Sequence, residues 1–156
     1  MGFSISHAAL RLVSGAFILN SGVGKLSLEK EHAAGLQAAA SHVIPQVKDL
    51  DPERFGKLLA LAEIGVGAAV LAPFIPSRLA GLLLGGFSGG LFAMYLKTPG
   101  MTEADGIRPT PAGMAMAKDI WLVGIGVALL FDRRHRPRAA VQAKLAAARA
   151  GAAARH

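Results

Sequence analysis

Glu63 and Asp119 are carboxylates set inside otherwise apolar stretches of the chain, and Lys25, Lys118 and Asn20 stand in similar company. Groups of this kind are costly away from water and rarely persist there without a use. A carboxylate so placed must either take up a proton or find a counter-charge. Glu63 and Asp119, with Lys25 or Lys118 as cation and Asn20 as hydrogen-bond partner, therefore read as one polar network. Such a network can hold helices together, pass a proton, or receive the polar head of a quinone or another small lipophile. Tyr95 ends its own apolar stretch on the same side, where its hydroxyl can reach the interface or join the layer.

Residue types exclude much other chemistry. The chain has no cysteine, which removes thiolate catalysis, disulfides and cysteine metal ligands. The histidines (His7, His32, His42, His135 and His156) show no ligand spacing on one helix face, so no metal site is expected. Gly22-x-Gly24 follows no strand and lies in no βαβ unit, so it is not a nucleotide fingerprint. With no haem-ligand pair or flavin motif, no resident cofactor is expected, and a quinone is the one redox ligand left open.

The elements that must carry these residues follow from composition. Hydrophobic residues make up 53% of the 156 and charged ones only 17%, against about a quarter charged in soluble domains. Mean hydropathy is +0.44. Apolar stretches at 5–26, 57–75, 78–96 and 112–131 approach the ~20 residues a helix needs to cross ~30 Å of hydrocarbon. The expected fold is therefore all-α, an integral membrane four-helix bundle. Asp51-Pro52 and Thr110-Pro111 offer a capping side chain followed by proline at the starts of the second and fourth helices. Pro73 and Pro76 part the second helix from the third as a tight hairpin. Residues 27–54 contain "EHAAGLQAAASHVI", a short surface helix or an ordinary structured loop, and 97–111 is rich in turn formers.

Depth links the polar residues. Had the fourth helix begun after Asp119, residues 120–131 would cover only roughly 18 Å. The helix is therefore expected to begin near Ala112, with Lys118 and Asp119 inside its outer half. Asn20, Glu63 and Asp119 then lie roughly 8, 9 and 12 Å from the outer ends of their helices. Plainer readings stand beside this one. Arg11 and Lys25 can snorkel to opposite surfaces, Lys118 and Asp119 can be a simple ion pair, and Asn20 can be helix glue. Glu63 has no long stem and is hardest to explain that way. In the third helix Gly81, Gly85 and Gly89 recur every four residues, a stripe for close helix packing.

Net charge is +7, and its distribution sets an orientation. With both termini cytoplasmic, the inner side holds Arg11, Arg78 and the tail cations Arg133, Arg134, Arg136, Arg138, Lys144, Arg149 and Arg155, against Asp132 alone. The outer side holds eight cations and eight acids, the asymmetry of the positive-inside rule. Residues 1–131 form the expected transmembrane domain and 132–156 a basic Ala/Arg-rich cytoplasmic tail. The tail's expected partner is anionic lipid, at about 1 kcal/mol per cation. It has no aromatic residue for stacking on bases, so nucleic acid is not expected.

Three segments resemble a known family. "RLVSGAFILNSGVGKL" (11–26) resembles the opening helix of DoxX-like membrane proteins, with an Arg, an apolar run and a G-x-G-K-L ending. "LALAEIGVGAAVLAPFIPSRLAGLLL" is similar to their L-x-E-x-x-x-G helix and the basic turn after it, and "AKDIWLVGIGVALL" to the final helix of many relatives. The resemblance covers roughly residues 8–131, and Arg11, Lys25 and Glu63 carry its pattern. It implies a compact four-helix, multi-pass protein of the bacterial cytoplasmic membrane, in a family named for a small subunit of a thiosulfate:quinone oxidoreductase. The expected function is that of an accessory subunit or assembly factor for a membrane redox or envelope complex, without catalysis of its own. The alternative is a stand-alone binder or carrier of a quinone, another small lipophile or a proton. Another membrane or membrane-associated protein is the expected partner, the glycine-lined helix being one docking face.

Overall fold

The computed structural model describes residues 5–131; the basic tail lies outside the described residues. The described chain is all-α. Its elements are α1 (Ile5–Lys25), α2 (Lys30–Ser41), a 3₁₀ turn (Pro45–Asp49), α3 (Pro52–Leu71), α4 (Ser77–Lys97), α5 (Met114–Ala117) and α6 (Ile120–Leu130). Among the described residues no strand forms, and an isolated bridge joins Thr102 to Pro109.

Spacing decides the packing faces. On α1 the buried residues Ser14, Gly15, Ile18 and Gly22 recur at three- and four-residue steps, and on α3 so do Gly56, Ala60, Glu63, Gly67 and Val70. Each set lines one helix face, and α1 packs chiefly on α3. Glycine lets the two backbones meet. A Cβ on Gly22 would stand 2.8 Å from the Ala60 carbonyl oxygen, and one on Gly67 would stand 2.6 Å from the Leu19 nitrogen. A second pair, α4 with α6, closes the same way, with Gly126 pressed against Gly81 and Gly85. Ile18, Val70, Ala80, Leu84, Leu122 and Leu129 form the apolar core shared by the two pairs.

The expected stripe of Gly81, Gly85 and Gly89 is only partly a contact. Gly81 and Gly85 face α6, whereas nothing lies within 4 Å of a Cβ built on Gly89. A four-residue repeat drifts about 40° per step on a helix of 3.6 residues per turn, so the stripe rotates off the seam.

The Asp51 side chain accepts from the N–H groups of Glu53 and Arg54 and starts α3, with Pro52 in its first turn. Residues 27–54 are structured. The buried Gln37 of α2 donates from Nε2 to the Val47 and Leu50 carbonyls, both at 2.7 Å, and ties the 3₁₀ turn to that helix.

The fourth segment departs from expectation. It is not one α-helix from Ala112: α5 ends at Ala117, and α6 begins at Ile120. Between them the Asp119 N–H bonds to the Met116 carbonyl and the Trp121 N–H to the Lys118 carbonyl, a three-residue 3₁₀ pattern. Such turns rise about 2.0 Å per residue against 1.5 Å in an α-helix, so the segment gains reach without being continuous. Its start is pinned by Gly113, where a Cβ would meet the Met101 carbonyl oxygen. Four membrane spans were expected, but among the described residues one helix, α4 with 21 residues, is long and apolar enough to cross a membrane; α1 and α3 are comparable to it in length but not in apolar character, and α6, with 11, covers only about 16 Å.

Candidate functional site

The site forms where α1 ends against the middle of α3. Lys25 Nζ donates to Glu63 Oε2 at 3.0 Å and to Ser21 Oγ at 2.6 Å. Glu63 stands between Ala60 and Gly67 on the buried face of α3, and Gly22 admits its Cβ against the α1 backbone. The Glu63 side chain is 5% exposed and that of Lys25 is 22%. One end of the pair is thus sealed and the other open. Lys25 is also the last residue of α1, where a cation opposes the negative end of the helix dipole.

The other candidates are placed as follows. Asp119 is half-buried and near enough to Lys118, Glu63 and Lys25 to feel their charges. Among the described residues neither Asp119 nor Lys118 forms an ion pair, and Lys118 is exposed. Asn20 does not join the network. It is exposed on α1, two residues from both Ile18 and Gly22 and so about 200° from each around the helix. Its depth matches Glu63, but its direction is opposite. Tyr95 is buried, yet its hydroxyl donates to the Ile107 carbonyl at 2.6 Å and clamps the 98–111 loop, not the layer of Glu63.

Two participants were not expected. Ser21 bonds Lys25 from one turn earlier, and its signal is the four-residue spacing. Arg11 does not snorkel away. Its guanidinium donates to the Val70 carbonyl at 2.7 Å and the Ile75 carbonyl at 2.8 Å, and also reaches those of Ala69 and Ala72. The last carbonyls of a helix lack partners within it, and Arg11 supplies them for α3. Its signal is position: Arg11, Ser14, Ile18, Gly22 and Lys25 follow one three- and four-residue stripe. Arg11 and Lys25 therefore clasp α1 to α3 at both ends.

Beside Lys25 a cleft of about 230 Å³ opens between the end of α1, the start of α2 and the first turns of α3. Lys25, Lys30, Lys57, Glu29 and Glu53 supply its charges, and Leu26, Leu28 and Gly56 its apolar wall. Among the described residues no group of three His, Asp or Glu side chains is placed to hold a metal ion. The arrangement can fix a charge pair and present one end of it to a polar group entering the cleft.

Comparison with known protein families, curated proteins and solved structures returns no match for this chain.

Proposed function

We propose that the chain is a small integral membrane accessory protein, a subunit of or assembly factor for a membrane redox or envelope complex, with the Lys25–Glu63 site near the outer leaflet. One observation carries the membrane part of this reading: the distribution of polarity is inverted. On α3 the exposed residues after Lys57 are Leu58, Leu61, Ala62, Gly65 and Ala68, while Glu63 is buried. Exposed positions on α4 between Arg78 and Lys97 are all Leu or Gly, and those on α6 are apolar or Gly. On α1, Asn20 alone interrupts an exposed apolar run between Arg11 and Lys25. Soluble monomers rarely expose so extensive an apolar surface, whereas hydrocarbon accepts it and drives charges inward. The DoxX-like motifs around Arg11, Lys25 and Glu63 support the accessory role, and the excess of inner cations supports cytoplasmic termini. A second reading, a stand-alone binder of a quinone, another small lipophile or a proton, is favoured by the cleft that opens at Lys25.

Alkaline carbonate washing of membranes tests residence: the protein should stay with the pellet, and its release without detergent would end the proposal. For orientation, Glu31→Cys should react with a membrane-impermeant thiol reagent in intact cells and Phe74→Cys should not; the reverse pattern would invert the topology. Purification in mild detergent should bring down a membrane protein partner. A co-purified quinone without a partner would favour the second reading.

A further inference from the structure

We propose that the cleft beside Lys25 holds the head group of a zwitterionic phospholipid bearing a primary ammonium, of the phosphatidylethanolamine type. The proposal rests on the membrane reading above and deepens it. Its basis is the order in which charges leave the apolar belt. Exposed Val23 and Leu58 mark the edge of the belt on α1 and α3. Lys25 and Lys57 come next, at the cleft mouth. Glu53 lies four residues before Lys57 on α3, roughly 6 Å farther from the belt, and Glu29 follows Lys25 beyond the end of α1. Lys30 lines the same cleft beside Glu29 but pairs with Asp51 at 3.8 Å, so among the charges without such a partner the order outward from the belt is apolar, cationic at Lys57, anionic at Glu53.

A phospholipid of this type has the complementary order: acyl chains, then phosphate, then ammonium. Phosphate meets Lys25 and Lys57, and the ammonium meets Glu29 and Glu53. Three features sharpen the assignment. Among the described residues neither Lys57 nor Glu53 has an ion-pair partner, so both are available to a ligand. The cleft of about 230 Å³ has room for several water-sized groups, enough to admit a phosphate with its ethanolamine. The carboxylates, finally, are hydrogen-bond acceptors only; a primary ammonium donates to them and a trimethylated one cannot. An anionic head group lacking an amine would leave Glu53 without a counter-charge of its own, Lys30 being held by Asp51 at 3.8 Å.

The test uses the full chain purified in detergent, with the thermal unfolding midpoint followed against short-chain phosphatidylethanolamine, phosphatidylcholine and phosphatidylglycerol. Phosphatidylethanolamine should bind about tenfold tighter than either, the scale of one charge-assisted hydrogen bond. Glu53→Gln should abolish the preference over phosphatidylcholine, and Lys57→Gln should weaken all three. Both residues are exposed, so the lipid-free midpoint should hold; Glu29→Gln replaces Glu53→Gln if the start of α3 suffers. Phosphatidylglycerol binding as tightly as phosphatidylethanolamine, equal affinity for phosphatidylcholine, or variants that keep the wild-type preference would each overturn the site. Carbonate release would sink the membrane reading itself, whereas a carbonate-resistant protein without lipid selectivity sinks only this inference.

Discussion

Removing Lys25 should cost more than neutralising Glu63, although both changes break the same 3.0 Å pair. At that distance the gross attraction is about 5–6 kcal/mol for an effective dielectric near 20, an upper bound from which desolvation subtracts. Lys25→Met strands a carboxylate that is 5% exposed, and an orphaned buried charge typically costs about 3–5 kcal/mol. Glu63→Gln leaves Lys25 bonded to Ser21, partly exposed and beside the cleft, so a loss of about 1–2 kcal/mol is expected. Lys25→Met combined with Glu63→Leu removes both charges, and apolar replacement of a whole pair is often neutral. The double variant should thus lie within about 1 kcal/mol of the wild type, well short of the sum of its own two singles, Lys25→Met and Glu63→Leu. For a chain of this size Lys25→Met should lower the thermal midpoint by about 6–20 °C. Unfolding in one detergent at pH 7, for the singles and the double, reads all of these. If Glu63→Gln costs as much as Lys25→Met, or if the two changes add, the account of a half-sealed pair is wrong. Partner co-purification separates roles: a purely structural pair tolerates Gln, whereas a working site loses its partner while the protein stays folded.

Gly126→Ala should destabilise by about 1–3 kcal/mol through overpacking, because its Cβ would stand 2.6 Å from the Gly85 backbone, whereas Gly124→Ala on the same helix meets nothing within 4 Å and should gain up to about 1 kcal/mol of helix propensity; equal midpoints would refute the close crossing. Arg11→Met leaves the last carbonyls of α3 without their donor and should lower stability by about 2–4 kcal/mol, with faster hydrogen exchange near the Ala72–Ile75 turn; unchanged unfolding would show that water replaces the guanidinium. Asp105, outside the helices, is held below its ordinary value of 3.8 first by the Arg108 side chain and then by the Ile107 and Arg108 N–H groups. Its folded value being depressed, it supports the 98–111 loop above pH 4 and loses that support as pH falls through the lowered value. Exchange of the Ile107 and Arg108 amides, corrected for intrinsic rate, should therefore rise in acid, and Asp105→Asn should remove this dependence.

What could be read in advance was chemistry tied to neighbours in sequence. Asp51-Pro52 announced the start of α3, and the prolines of "APFIPSR" announced the turn after it. Glu63 identified itself because a carboxylate on an apolar helix needs an explanation whatever its surroundings. Asn20 shows the limit. Axial depth alone grouped it with Glu63, but the angle around α1 points it away, and angle was available from its distance to Ile18 and Gly22. Arg11 was hidden for another reason: its acceptors are backbone carbonyls, which carry no residue identity, so no pattern of side chains announces them. The Lys118–Asp119 break was equally silent, since a length argument cannot distinguish one α-helix from overwound turns of similar reach.

The clasp at the ends of α1 has a consequence for how the protein is made. Arg11 finds its acceptor at Val70, 59 residues later, and Lys25 finds Glu63 38 residues later. At the ~5–20 residues per second of translation, Arg11 waits roughly 3–12 s for its carbonyls. During that interval the nascent first helix carries a cation at each end and neither partner. Its two charges are thus solvated by the surroundings before the native partners on α3 can solvate them. The Arg11 half of the clasp is complete only once the chain has passed the Ala72–Ile75 turn, whose carbonyls are among its acceptors.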